Sequence, residues 1–168
     1  SKVEEGTIPT RVTHNDTKIN NILFDRQGEV LCAIDLDTVM ASTSLNDFGD
    51  AIRSYANTGD EDDRDLSRVG LSLEMFRAYT EGYLSQRAKQ LTDSEIDHLA
   101  FSTRYITFEQ VLRFLMDYID GDTYYKVKYP GHNLVRTHAQ YRLLQSMEEH
   151  YGEMCRIVRE TVDKYRKA

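Results

Sequence analysis

The chain has 168 residues, a formal net charge of −7 and 40% apolar side chains, enough for one domain that buries about two-thirds of its unfolded surface without metal or disulfide staples. The acidic balance argues against a generic polyanion binder, because nucleic-acid affinity rests on clustered Lys and Arg; Cys32 and Cys155 are too few for a disulfide framework, and there is no signal peptide or long apolar run. The expectation is a cytoplasmic protein with a small-molecule or protein partner, no nucleic acid and no membrane.

In chain order, residues 20–24 (NNILF) and 29–34 (EVLCAI) are short and rich in branched apolar side chains, and Asp25-Arg26-Gln27-Gly28 between them supplies turn chemistry, so a β-hairpin is predicted. "LNDFGDAIRSYAN" then places Leu45, Phe48, Ile52 and Tyr55 at helical spacing. Residues 58–65 (TGDEDDRD) carry five acids and no apolar residue, and read as a solvated loop rather than a metal site. Leu73, Phe76, Tyr83 and Leu84 mark a further helix, and Thr92-Asp93-Ser94-Glu95 is a capping box opening another that runs to Ile119, with or without a break. Gly121, Pro130 and Gly131 make 120–133 a loop. Leu143, Leu144, Met147, Tyr151, Met154, Cys155, Val158 and Val162 recur at three- and four-residue steps and predict one long C-terminal amphipathic helix. The class is α+β, mostly helical, with a hairpin and a helical bundle.

The segment "VTHNDTKINNILFD" (residues 12–25) holds the chemistry. His14, Asp16 and Asn21 have the spacing His-x-Asp-x-x-x-x-Asn of a kinase catalytic loop, where the Asp accepts the proton of the substrate hydroxyl and the Asn reaches the metal beside the transferring phosphate. After the hairpin, "AIDLD" puts Asp35 at the end of an apolar strand, where a second hard oxygen ligand for Mg²⁺ is needed. The competing reading is that Asp16, Asn20 and Asn21 form side-chain-bonded turns. Asp47 near a helix start has a competing reading as a cap, and Lys18 is either surface charge or a neighbour of phosphate.

This combination resembles the aminoglycoside phosphotransferase and choline kinase superfamily, small-molecule kinases with a protein-kinase-like fold, over residues 12 to about 55. The motifs that carry it are His14-Asn15-Asp16, Asn21, Ile34-Asp35-Leu36-Asp37 and Asp47; Asn15 stands where the family usually has Gly, and Leu36 where it has an aromatic residue. Within the superfamily the two segments are most similar to the N-acetylhexosamine 1-kinase type. The resemblance implies ATP as co-substrate and phosphorylation of a sugar's anomeric hydroxyl. It also implies Asp16 as catalytic base, Asn21 and Asp35 as Mg²⁺ ligands, Asp37 as a second-metal or supporting carboxylate, and His14 and Asp47 as loop supports. Choline, homoserine and aminoglycosides stay open as acceptors.

A kinase of this type also needs a lobe that grips the nucleotide with a strand Lys and a Gly-rich cover. Only 13 residues precede His14, and the nine glycines never form Gly-x-Gly. Residues 1–168 are therefore expected to be the C-terminal lobe of a longer kinase, inactive alone, with an apolar surface that the missing lobe would cover and that invites dimers. For the acceptor pocket, Arg113 interrupts the apolar run "VLRFLM" as a buried guanidinium in need of acceptors, and Tyr124 and Tyr55 offer rings to a sugar face; pairing of Arg113 with Glu109 is the alternative. A sulfatase is excluded because "TIPTR" offers only Thr7 where Cys or Ser is needed, and a zinc hydrolase is disfavoured because the five histidines form no His-x-x-x-His pair. The non-enzyme rival is a sugar-binding or interaction module on a kinase-like scaffold.

Overall fold

The computed structural model describes residues 5–167. Among these residues, four short strands lead into five helices: β1 (Arg11–Thr13), β2 (Ile22–Phe24), β3 (Val30–Ala33), β4 (Met40–Ser42), α1 (Ser44–Tyr55), α2 (Leu73–Arg87), α3 (Asp93–Ile119), α4 (His132–Glu149) and α5 (Tyr151–Arg166). The hairpin forms as β2 against β3, with Ile22 opposite Ala33 and Leu23 opposite Cys32. Around it, β1 pairs antiparallel with β4, Arg11 opposite Ser42 and Thr13 opposite Met40. The segment between β1 and β2 is thus gripped at both ends by strand pairs, a placement the sequence did not reveal because β1 finds its partner 27 or more residues away.

Each helix start has a local cause. Thr43 accepts the Leu45 N–H ahead of α1, Ser72 accepts the Met75 N–H ahead of α2, and Thr92 and Glu95 form the reciprocal capping box of α3. The α3 helix runs unbroken for 27 residues, roughly 40 Å at 1.5 Å per residue, and forms the spine. Helix α1 crosses it closely: a Cβ on Gly49 would lie 2.6 Å from the Ser102 carbonyl oxygen and 2.7 Å from Ile106 Cγ1, so only glycine permits this approach. Phe48 enters the core beside it and meets Phe76, Tyr79 and Tyr83 edge to face at 5.2–6.3 Å. Leu99, Leu143, Met147, Met154 and Ile157 complete the core from α3, α4 and α5.

The single long C-terminal helix expected from periodicity is two helices. His150 leaves helical geometry (φ −102°, ψ 7°), and both its backbone N–H and its ring Nδ1–H turn to the Ser146 carbonyl, at 3.1 and 2.8 Å. Continuous, the two would span roughly 50 Å, longer than the bundle they serve; broken, α4 lies along α3 while α5 turns back along α2. Arg166 at the end of α5 fastens this return, donating to the Ala88 and Leu91 carbonyls at 3.0 and 2.7 Å.

A further tie is Glu95, whose side chain is fully buried. Arg11 grips it bidentately at 2.6 and 2.8 Å, Ser44 donates at 2.7 Å and the Thr92 N–H at 2.8 Å, so one carboxylate joins β1, α1 and α3. Burial alone would push this carboxyl up, but the bonds from Arg11, Thr92 and Ser44 outweigh it and hold it at about 2, against an ordinary 4.5. Because the folded value is the lower one, the stabilisation is complete above about pH 4.5 and is lost as pH falls from there toward about 2. Urea unfolding should therefore show Glu95→Gln to be less stable than the parent by roughly 2–3 kcal/mol at neutral pH, the scale of lost charge-assisted bonds, with the gap closing below pH 4.5. A gap independent of pH would disprove the assignment.

Candidate active site

The loop after β1 is built from its backbone outward. Asn15 takes left-handed geometry (φ 61°), which glycine adopts freely and asparagine tolerates better than most residues; this is why Asn can stand where glycine is usual. The turn directs two successive N–H groups at α1, where the Asp47 carboxylate accepts them: His14 N–H at 3.0 Å and Asn15 N–H at 2.7 Å. Thr17 Oγ1 donates to the Asp47 carbonyl at 2.6 Å. On the other side His14 Nε2–H donates to the Ile34 carbonyl at 2.9 Å, and Thr38 Oγ1 to the His14 carbonyl at 2.6 Å. Asp47 therefore acts outward on the loop, while Thr43 caps the helix. His14 ties the loop to the exit of β3.

Held this way, Asp16 faces Lys18 Nζ at 2.9 Å and Asn21 Nδ2 at 2.8 Å. Partial burial raises the Asp16 carboxyl, but the bonds from Lys18 and Asn21 with the charges of Lys18 and His14 outweigh it and leave it below the ordinary carboxylate value, so it is ionised at neutral pH. Asn21 is 4% exposed, and its Nδ2 also donates to the Asp16 carbonyl at 2.8 Å, which leaves Oδ1 free for another partner. The Ile34 N–H bonds to the Asn21 carbonyl at 2.9 Å, so the next residue, Asp35, emerges beside this corner in left-handed geometry (φ 60°) with its side chain exposed. Asp37 is exposed in the 3₁₀ turn Leu36–Thr38.

Asp16 opens onto a cleft of about 430 Å³, walled opposite by Gln110, Arg113, Tyr124, Tyr125 and Arg136, in the size range of small-molecule sites. Arg113 is not buried, contrary to the sequence reading: it is exposed on α3, ion-paired to no carboxylate among the described residues, and lies over the Tyr124 and Tyr125 rings at 5.8 and 5.6 Å. Tyr55 is not at the cleft. Its ring packs on Tyr79 at 5.4 Å, because the helix phase at the end of α1 turns it toward α2. The tyrosine wall depends on Asp117, whose buried carboxylate accepts the Thr123, Tyr124 and Tyr125 N–H groups at 2.8–3.0 Å and Asn133 Nδ2 at 2.7 Å. Sequence reasoning missed Gln110, Asp117, Tyr125 and Arg136; an acid interrupting an apolar helix just before a loop was the one available signal.

The acidic stretch 58–65 is wired rather than simply solvated. Glu61 pairs with buried Arg53 at 2.8 Å, and Asp62 accepts from Lys128 Nζ at 2.9 Å and from the fully buried His132 Nε2–H at 2.7 Å, bonds that draw its carboxyl down to about 2. These pairs bind the stretch to α1 and to the loop before α4, which no local pattern announces. Among the described residues no three His, Cys, Asp or Glu side chains cluster as a metal cage, and no helix is long and apolar enough to cross a membrane.

Asp47→Ala would strip two N–H groups of a charged acceptor, a loss of about 1.5–3 kcal/mol each by central values. Hydrogen exchange at the His14 and Asn15 amides should accelerate more than tenfold, with α4 amides unchanged; unaltered exchange at these two amides would refute the clamp.

Residues 4–85, from just before β1 to near the end of α2, match the family model of the phosphotransferase enzyme family, APH. Over these residues the chain is similar to a family of phosphotransferase enzymes, the superfamily whose motifs the loop and hairpin resemble.

Proposed function

We propose that this chain is the catalytic and acceptor-binding lobe of a cytoplasmic, ATP- and Mg²⁺-dependent kinase that phosphorylates a sugar hydroxyl, with the anomeric hydroxyl of an N-acetylhexosamine as acceptor. The observation that carries the reading is the clamped loop: Asp47 fixes His14 and Asn15 at 3.0 and 2.7 Å, and the loop so fixed points an ionised Asp16 into the cleft. In this reading Asp16 aligns the acceptor hydroxyl and accepts its proton, while the Lys18 and Asn21 bonds hold the carboxylate in one rotamer. Arg113, Tyr124 and Tyr125 face the acceptor, the rings supplying an apolar face and the guanidinium its hydrogen bonds. The wall suits a polyol better than choline, because Arg113 lacks a carboxylate partner among the described residues and would repel a cation.

The donor set at Asn21 and Asp35 fits Mg²⁺. Asn21 spends its amide N–H on Asp16 and keeps its oxygen free, and Asp35 is an exposed carboxylate just past the bond that joins Ile34 to Asn21. Hard oxygen donors from one or two side chains are what this ion takes from a protein, with phosphate and water completing its shell. When bound it would offset the negative charge of the phosphate groups. Asp37, one turn on, would support the same corner. A nucleotide-binding lobe is part of the proposal, and the exposed apolar side chains of the strands support it: Val12 is 83% exposed, Val30 64%, Leu31 63% and Met40 56%.

In the full-length protein, Asp16→Asn should lower kcat by 10²- to 10⁴-fold, the usual range for a general base, with KM for ATP nearly unchanged; retention of most of kcat would sink the assignment. Titrating Mg²⁺ against the Asp35→Ala enzyme should move half-saturation to at least tenfold higher metal. An unshifted Mg²⁺ curve removes Asp35 from the ligand set.

A further inference from the structure

We infer that Asp50 is a second acceptor-binding carboxylate, taking a hydrogen bond from a hydroxyl of the acceptor other than the one phosphorylated. Asp50 sits on α1 one turn after Asp47 and is 8% exposed. Both of its bonds from Arg53, Nε at 3.0 Å and Nη2 at 2.8 Å, go to Oδ1, and Oδ2 is buried with no partner. A buried carboxylate oxygen without a donor is uncommon, since nearly all such atoms are satisfied. Asp50 lines a recess of about 150 Å³ together with Asn15, Asp16, Asn46, Glu109, Gln110 and Arg113. Asn15, Asp16, Gln110 and Arg113 also line the main cleft, so the recess opens off it. A ligand whose reacting hydroxyl meets Asp16 therefore has Asp50 within the same enclosure.

The chemistry of the missing donor follows from charge. Arg53 pairs with both Asp50 and Glu61, and what Oδ2 lacks is a hydrogen-bond donor. The recess is lined by Arg53 and Arg113 as well as by Asp16, Asp50 and Glu109, so guanidinium groups already offset most of its carboxylate charge and a further cation is not required. A neutral O–H satisfies both conditions. The acceptor class is accordingly a polyhydroxylated ring that offers at least two hydroxyls, and an amino alcohol with one hydroxyl would leave Oδ2 unsatisfied. This inference rests on the phosphotransfer reading only for which hydroxyl reacts.

The test uses the full-length protein and a panel of N-acetylglucosamine and its single-deoxy analogues. In the parent enzyme one non-reacting position should dominate, its deoxy analogue losing at least 100-fold in kcat/KM because a buried acceptor is then left unpaired. In Asp50→Asn the amide oxygen stays on Arg53 and its NH₂ faces the recess. The normal substrate should therefore lose most of its advantage over that analogue, with KM for ATP unchanged. Equal discrimination by parent and variant, or no analogue losing more than about tenfold in the parent, overturns the inference; the second arm decides even if the variant does not fold. Saturation-transfer NMR without nucleotide separates the two proposals. Sugar binding weakened by Asp50→Asn but without turnover fails the kinase reading and keeps Asp50, whereas no sugar binding by the parent overturns Asp50 as well.

Discussion

The Asp47 carboxylate is the contact on which the rest of the site depends. A loop as polar as residues 14–21 has Ile19 as its one apolar side chain, and its backbone donors would otherwise turn to water. By accepting both the His14 and Asn15 N–H groups, at 3.0 and 2.7 Å, Asp47 turns the loop into an extension of α1. The position of α1 is set in turn by Gly49, which lets the helix lie against the Ser102 carbonyl of α3. A core feature therefore fixes the height at which Asp16 meets the cleft: glycine permits close packing, close packing places Asp47, and Asp47 places the loop.

Buried charge is largely compensated locally, and one exception lies beside the cleft. Glu95 takes Arg11, Asp62 takes Lys128 and His132, and Arg53 takes Asp50 and Glu61. Each pair joins elements distant in sequence or braces a loop, and each is hydrogen-bonded well enough to offset desolvation. Against this pattern, Asp50 Oδ2 is buried without a donor, and Asp50 lines the recess beside Asp16 together with the exposed Arg113. Asp117 belongs to the compensated class but serves the site, because a carboxylate that collects three backbone N–H groups holds the Tyr124–Tyr125 wall in one shape.

The two sides of the molecule differ in how they are stabilised. The helical side buries a continuous core from Phe48 to Val162. The strand side is thin: β2 and β3 expose most of their side chains, and only backbone pairing and the loop's hydrogen bonds hold them. A two-stranded hairpin is marginal by itself, so the bonds of the loop to Ile34 and Thr38 stabilise the hairpin as much as the hairpin positions the loop.

By itself the sequence determined whatever has a short-range cause. The capping box at Thr92–Glu95, the turn at 25–28 and the helical phase of α1 and α2 all arise from neighbours within a few residues, and the structure holds those elements where the spacing put them. Periodicity alone missed the break at His150, because an apolar stripe continues in phase across a single non-helical residue when both halves face one core. Tertiary structure decided the rest: the β1–β4 pairing, the wiring of the acidic stretch to Arg53 and His132, the turning of Tyr55 away from the cleft and the exposure of Arg113. All four depend on contacts between residues far apart in the chain, and a side chain's partner there is chosen by how the helices cross, which no local window of sequence encodes.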